Sequence, residues 1–370
     1  MSEVQSDLPL KITEVVAREY CLAEPFRFIE RKRVINAVPE GWLLLKPVVA
    51  GICGSEMLYF KGQKEAEKLK KRLPMCLLHE GVAEVVKAGH GARLQNGTRV
   101  VVDPLVPCGK CRQCRSLREN LCREGRYMAA TADGLARTFF VYPESRVVPV
   151  PEGVSPEVAA LAEPVSVALN AVESAGLSRG EKVAVIGDGT VGYLVAVAVS
   201  SVAKVPAKDL YFVGVVDEKL ALARDFASPL NSIKEKARLD NLSDGLDVVF
   251  EAAGGGAHRV TVAHAVRLLR PGGRGVLLGI SLGEVPVSVT DVVNKGLTLT
   301  GSTRSRIEHY VRVLNLLKED AAFRSRISRA ISGKRFTVRS PDDLDAAFRY
   351  ADTEEGEARV KPGRVLVYFP

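Results

Sequence analysis

Four cysteines stand in Cys108-Gly109-Lys110-Cys111-Arg112-Gln113-Cys114, with Cys122 following after seven residues. Four thiolates at such spacing saturate a tetrahedral zinc and leave no open position, so this lobe is scaffold and the chemistry lies elsewhere. Upstream are Cys53, in Gly51-Ile52-Cys53-Gly54-Ser55-Glu56, and the adjacent His79-Glu80. One Cys, one His and one carboxylate can hold a zinc while keeping a fourth position for water or substrate, which a catalytic metal requires. His79 alone would read as a satisfied core histidine; its pairing with Glu80 and the upstream cysteine reverses that. His90, His258, His264 and His309 have no metal-like neighbours in the sequence and are given no role.

A second constellation is Gly187-Asp188-Gly189-Thr190-Val191-Gly192, a full GxGxxG between the apolar runs VAVI and YLVAVAV. Glycines are needed there for a tight turn, for close approach of a pyrophosphate, and for packing of the helix on the strand. Gly189, Thr190, Val191 and Gly192 then offer the helix N-terminus to phosphate. Asp188 would repel a pyrophosphate, so it has to point away or find a cation. The nicotinamide cofactor depends on where the next strand ends. If the strand is DLYFVGVV, Asp217 binds the adenosine ribose and the cofactor is NAD. If it ends at Gly214, no acid is in place and Lys219 or Arg224 can neutralise a 2′-phosphate. Counting back from Lys219-Leu220 favours Gly214 and hence NADP, with NAD as the alternative.

The elements that must position these residues fall into two textures. Up to about Pro164 the chain is made of short Val-dense segments separated by Gly and Pro (VVAGICG, GVAEVVKAG, TRVVVDPL, ARTFFVYP, RVVPVPEG), the pattern of a β-rich, barrel-like domain. From Leu177 apolar strands alternate with helix-length stretches, which argues for βαβ units on a parallel sheet. Strands are expected in KVAVIG, DLYFVG, LDVVFEAAG ending near Gly254, GRGVLLG and LTLTG, each ending where ligands collect. A helix in IEHYVRVLNLL and a last strand, RVLVYF, follow, and the latter is expected to return to the first domain.

With 370 residues, 46% hydrophobic and 26% charged, the composition is that of a globular protein of about two domains. No apolar run is long enough to cross a membrane, and the start carries no basic flank before an apolar stretch, so a cytoplasmic protein is expected. Cys21 and Cys76 are read as separate buried or half-buried thiols in a reducing compartment. The net charge of +8 has one local cluster, KGQKEAEKLKKR from Lys61 to Arg72. It reads first as a solvated helical face and second as a lid over an anionic ligand. A nucleic-acid module is disfavoured: it has no use for a GxGxxG at a strand end, and the basic residues lack aromatic interleaving.

GICGSE, His79-Glu80-Gly81 followed by VAEVV, the cysteine lobe, Glu163-Pro164 and the GxGxxG occur in the order found in zinc-dependent medium-chain alcohol and polyol dehydrogenases, which the whole chain resembles. The resemblance implies an α/β chain in which a doubly wound Rossmann sheet (165–304) joins a β-rich GroES-like catalytic domain (1–164, completed by 305–370) with a structural zinc lobe at about 104–125. It implies Cys53, His79 and Glu163 as ligands of a catalytic zinc, with Glu80 beside them either supporting those ligands or exchanging with them. The cysteine lobe would hold a second zinc. Ser55 would pass the alcohol proton toward solvent, and Tyr59 would line the substrate pocket. The histidine relay of the simple-alcohol branch is replaced by Leu58. Zinc-assisted hydride transfer from a carbinol carbon to a nicotinamide is the implied reaction, in a homodimer or homotetramer.

LPMCLLHEGVAEVV, GDGxxGY, FEAAGG, LLGISLGEVPV and KGLTLTGSTRSR carry a closer resemblance to ribitol-5-phosphate dehydrogenases. That likeness implies NADPH and a ketopentose phosphate, the oxidised partner of a sugar-alcohol phosphate. The cysteine lobe, whole here, is a departure from that group. Arg304 and Arg306 follow the last sheet strand; Arg304 reads equally as a clamp on a phosphate of substrate or cofactor and as a surface partner of nearby Glu308, whereas Arg306 reads as a surface partner of Glu308. Glu251, at a strand end, could reach the nicotinamide ribose or act as a capping acid.

Overall fold

The computed structural model describes residues 9–280, 283–352 and 363–370. Ten strands come first: β1 (Leu10–Glu24), β2 (Arg27–Val38), β3 (Trp42–Gly51), β4 (Met75–Cys76), β5 (Glu80–Ala88), β6 (Arg99–Val102), β7 (Leu105–Val106), β8 (Arg126–Tyr127), β9 (Phe140–Pro143) and β10 (Val147–Pro149). The Val-dense segments are β3, β5, β6, β9 and β10. Alternating residues such as Ala83, Val85, Val100 and Val102 are buried in the barrel core, while Val82 and Val101 on the opposite face are buried in the core shared with the helix Ala162–Ala175. β11 (Val183–Ile186), β12 (Leu210–Gly214), β13 (Ser228–Asn231), β14 (Leu246–Glu251), β15 (Leu269–Leu277) and β16 (Thr298–Gly301) form a separate sheet, and β17 (Ile331–Thr337) and β18 (Arg364–Tyr368) close the chain.

β18 is the element that completes the barrel. It runs antiparallel to β3 and parallel to β17, giving the order β10-β6-β5-β3-β18-β17 with β9 also on β3. RVLVYF thus returns to the first domain as its sequence suggested. β1 and β2 make a long hairpin whose inner strand also pairs β4, and β7 with β8 closes the base of the cysteine lobe.

The second sheet is parallel with order β13-β12-β11-β14-β15-β16. This is the doubly wound order in which the chain reverses direction across the sheet beside β11, and ligands bind at the carboxyl ends there. β11 is buried throughout, and the helix Thr190–Ser201 behind it presents buried residues on nearly every face. That helix packs on the helix Ala162–Ala175, which in turn meets the helix Ile307–Glu319.

Three details differ from the sequence reading. β13 escaped notice because Ser-Pro-Leu-Asn lacks β-branched residues; it survives as an edge strand, where a proline is tolerated. β14 stops at Glu251 rather than near Gly254, because Ala252 and Ala253 must fold over Gly187: a Cβ at Gly187, whose φ is +119°, would lie 2.7 Å from the Ala253 nitrogen. Cys21 and Cys76, expected as separate thiols, stand opposite each other on β1 and β4, fully buried and disulfide-bonded. A strand register brings them together across 55 residues, which spacing cannot reveal.

Gly192 is the tightest point of the nucleotide turn, where an added Cβ would stand 1.8 Å from the Gly187 carbonyl oxygen. Gly192→Ala is expected to lower stability by about 1–3 kcal/mol through overpacking and to weaken dinucleotide binding. Thermal denaturation and a cofactor titration check both.

Candidate active site

Cys53 lies at the N-cap of the short helix Gly54–Phe60, half exposed, at the end of the strand that β18 and β5 flank. Its backbone N–H donates to Glu56 Oε2 at 2.9 Å, a capping arrangement that fixes the helix start. The other oxygen of Glu56 meets His79 Nδ1 at 2.7 Å, with Glu56 1% and His79 5% exposed. A histidine held by a carboxylate at Nδ1 presents Nε2 as the free lone pair, the orientation a metal ligand needs. Ligand atoms of Cys53, His79 and Glu80 lie within 4.8 Å of one another.

Glu80 follows His79 into β5 and is clasped by Arg364 of β18. The guanidinium spans its carboxylate at 2.7 and 2.9 Å, and both side chains are buried. Glu163, at the start of the helix Ala162–Ala175, stands beside this set rather than in it. Its Oε1 accepts the Tyr127 hydroxyl at 3.1 Å. The tight donor set therefore contains Glu80, where the family pattern puts Glu163, because Tyr127 holds Glu163 and the chain places Glu80 next to His79.

Charge shows what these donors fit. Burial pushes the Glu163 carboxyl up to about 7, with His79 opposing and Glu80 adding to the rise. Burial disfavours a charged His79, yet Glu56 and Cys53 hold its proton affinity well above the ordinary value. Three buried carboxylates and a thiol around one imidazole and one guanidinium call for a further cation. A zinc bound by sulfur, nitrogen and carboxylate oxygen answers that demand. Ser55 donates to Cys53 Sγ at 3.4 Å, and Tyr59, one helical turn on, is half-buried with Lys64 Nζ 5.4 Å from its ring centroid.

In the lobe, Cys108, Cys111, Cys114 and Cys122 converge, with S···S distances of 3.9 Å (108–114), 3.5 Å (111–114) and 3.9 Å (111–122). A tetrahedral zinc with Zn–S of about 2.3 Å sets its sulfurs about 3.8 Å apart. The donor set fits a closed structural zinc.

The nucleotide turn fits a dinucleotide. A Cβ on Gly189 would meet no atom within 4 Å, so that glycine faces open space, while Gly187 and Gly192 are closed by backbone. The N-terminal amides of the helix Thr190–Ser201 stand at this opening. Asp188 is turned away to the end of β12 and meets no cation among the described residues: its Oδ2 accepts the N–H groups of Val215 and Val216 at 2.7 and 2.8 Å, directly past Gly214. β12 ends at Gly214, and Asp217 is engaged with Asn231 Nδ2 at 2.6 Å and Lys234 Nζ at 2.5 Å. Lys219 is half-buried in the short helix after it and Arg224 is exposed.

Arg304, read equally as an anion clamp or a surface partner of Glu308, is engaged with the lobe instead. At φ +53° it turns back to the lobe, donating to the carbonyls of Cys122 (3.2 Å) and Asn120 (3.5 Å), with its guanidinium carbon 5.0 Å from the Tyr127 ring centroid. Lobe, Arg304, Tyr127 and Glu163 thus form one chain of contacts. Arg306 pairs with Glu173 at 3.5 Å, not Glu308, and reaches the Leu117 carbonyl. Glu251 is fully buried, accepting from Ala253 N–H and Thr261, with His258 at 2.8 Å, so it caps the strand end.

Sequence reasoning missed Glu56, Tyr127 and Arg364. A capping box, Cys53 to Glu56, could have signalled the first, and a lone arginine opening the apolar run VLVYF could have signalled a buried ion pair. Nothing local marks Tyr127. Arg364→Met would leave Glu80 buried without its counter-charge. A stability loss of about 3–5 kcal/mol in chemical denaturation is expected. Cys111→Ser is expected to lower the melting temperature, remove one zinc in elemental analysis, and reduce turnover through the Arg304–Tyr127 contact; unchanged melting would refute the scaffold role.

Residues 39–152 match the alcohol dehydrogenase GroES-like domain family, and residues 194–319 the zinc-binding dehydrogenase family. Sorbitol dehydrogenase 1 of Saccharomyces cerevisiae is 31% identical over 303 residues, covering 78% of this chain and 83% of the relative. Ribulose-5-phosphate reductase 1 of Staphylococcus aureus is 28% identical over 312 residues, covering 83% and 87%. Among solved structures, L-idonate 5-dehydrogenase of Escherichia coli superposes with a TM-score of 0.84 at 23% identity, covering 96% of this chain and 99% of that one. The S. aureus TarJ structure in complex with NADPH gives 0.78 at 24%, covering 96% and 100%. With a barrel that gathers Cys53, His79 and two carboxylates beside a doubly wound sheet, the chain belongs to the zinc-dependent alcohol and polyol dehydrogenases, oxidoreductases acting on CH–OH groups.

Proposed function

We propose that the chain interconverts a polyol phosphate and its ketose phosphate, ribitol 5-phosphate and ribulose 5-phosphate, using NADP(H). The observation that carries the cofactor half is the end of β12 at Gly214, with Asp217 withdrawn to Asn231 and Lys234. An acid that would exclude a 2′-phosphate is therefore absent from the strand end, and Lys219 lies in the helix that follows. The substrate half rests on likeness to ribulose-5-phosphate reductases along most of the chain, together with the amino group of Lys64 over Tyr59.

In this reading Cys53 and His79 hold the catalytic zinc, and the third place is shared between Glu163 and Glu80, each tethered by its own partner, Tyr127 and Arg364. Bound there, a zinc would supply Lewis-acid polarisation of the reacting oxygen, with a nicotinamide as the hydride carrier. Glu56 keeps the His79 ring turned so that Nδ1 stays out of the metal position. Ser55, beside Cys53, hands the substrate proton outward, a task no histidine shares because residue 58 is leucine. Cys108, Cys111, Cys114 and Cys122 hold the second zinc.

Assembly through the nucleotide domains belongs to the same proposal. β16 ends its sheet as an edge strand, and Val289 and Val293, on the helix before it, are each 70% exposed. Among the described residues no helix is long and apolar enough to cross a membrane.

The second reading, an NAD-dependent sorbitol-type dehydrogenase, is favoured by the 31% identity to sorbitol dehydrogenase 1 and by the negative charge of Asp188 beside the strand end. Steady-state rates on ribulose 5-phosphate, ribitol 5-phosphate, ribitol and sorbitol with each cofactor separate the two. At least tenfold higher kcat/KM for the phosphorylated pair with NADP(H) is expected, and turnover confined to unphosphorylated polyols with NAD would overturn the proposal.

A further inference from the structure

Apart from Lys64, the basic segment of residues 61–72 is not absorbed by the dehydrogenase site. Its helix Ala66–Arg72 buries no residue; Lys68 and Lys70 pair with Glu65 and Glu67, and Lys61 with Asp352. Lys71 and Arg72 have no such partner among the described residues, and they line a cleft of about 200 Å³ together with Arg31 and the turn Thr131–Asp133. The same turn walls a second cavity of about 390 Å³, which adds Arg33, Arg126 and Arg137 and the side of Trp42. The two spaces adjoin across one turn.

Six cations line them against two carboxylates, Asp133 and Glu19. Glu19, 1% exposed, binds Nε of Arg31 at 2.5 Å and Nε of Arg33 at 2.7 Å. Asp133 takes Nη2 of both. Each guanidinium is therefore fixed along one edge, while its Nη1 makes no hydrogen bond among the described residues. Arg137 sits behind them, donating to the Asp133 carbonyl at 3.1 Å and lying 4.7 Å from the Phe140 ring centroid; its Nε is buried without a partner. A network serving only the fold would balance its charges. Here Lys71, Arg72 and Arg126 add positive charge at the rim with no acid paired to it among the described residues, which repels unless an anion binds.

We propose that these two adjoining cavities, which share the Thr131–Asp133 turn as a wall, form a second anion site, separate from the dinucleotide and metal sites, that takes a ligand with two or more adjacent phosphate groups. Arginines held rigid by acids bind phosphate through their remaining N–H groups with little ordering cost. Trp42 and Ile35 supply an apolar wall for the organic part of such a ligand. The site also touches the catalytic machinery. Asp133 Oδ1 accepts the Cys76 N–H at 3.0 Å, and the Gly134 and Leu135 N–H groups bond the carbonyls of Cys76 and Leu78, the residues that lead into His79.

Calorimetric titration of inorganic pyrophosphate into enzyme already saturated with its nicotinamide cofactor, at fixed ionic strength, tests the site. One binding event per chain is expected, weakened at least tenfold by Lys71→Ala and by Arg126→Ala, unchanged by Lys208→Ala on the other domain, with the cofactor KM constant throughout. Absence of binding once the cofactor site is filled overturns the proposal. So does binding that neither variant weakens, or an equal loss in Lys208→Ala, the mark of general attraction to a basic surface.

Discussion

The ion pair between Arg364 and Glu80 is the contact on which the rest of the catalytic domain turns. It joins residues 284 positions apart, both buried, and it brings β18 against β3 at the level of Cys53. An unpaired carboxylate at that depth would carry a desolvation cost of several kcal/mol. With the guanidinium in place, a second carboxylate, Glu163, and a thiol can share the same pocket, and their summed negative charge is what fits a divalent cation. The third Arg364 contact, to the Ile52 carbonyl at 3.3 Å, holds the residue before Cys53 from the same side.

The two domains meet through comparably specific links. The helix Ala162–Ala175 carries Glu163 at its first turn and packs against the helices of the nucleotide domain along its length. Ser166 and Ser305 share a hydrogen bond of 2.7 Å, and Asn120 of the lobe donates to the Thr303 carbonyl. The segment leaving β16 is thereby pinned to both the lobe and the metal pocket. This accounts for a scaffold lobe being kept in the chain: its carbonyls orient Arg304, and through Tyr127 they bear on a carboxylate of the reactive set.

Much of this was legible in the residues. Short Val-dense segments separated by Gly and Pro announced the barrel, and apolar runs alternating with helix-length stretches and ending in glycine announced the parallel sheet. Cys53, His79 and the lobe cysteines were visible because metal ligands are drawn from few residue types at tight spacing. What failed was long-range. The Cys21–Cys76 pairing, the Arg364 clasp and the turning of Arg304 toward the lobe depend on strand register and backbone direction, which no local pattern encodes. Asp188 is an intermediate case: its charge posed a problem in the sequence, and the answer, two backbone amides beyond the next strand, required the neighbouring strand to be in place.

The position of β18 has a consequence for how the protein is made. Residues 364–368 leave the ribosome after every other strand of the sheet they complete. The parallel sheet of residues 183–301 has all its strands long before, so it can fold as a unit during synthesis. Until Arg364 arrives, Glu80 lacks its counter-charge and the barrel sheet lacks β18. The order of synthesis therefore puts the complete nucleotide sheet ahead of the complete barrel sheet, and a chain cut short before residue 364 would bear the first without the second.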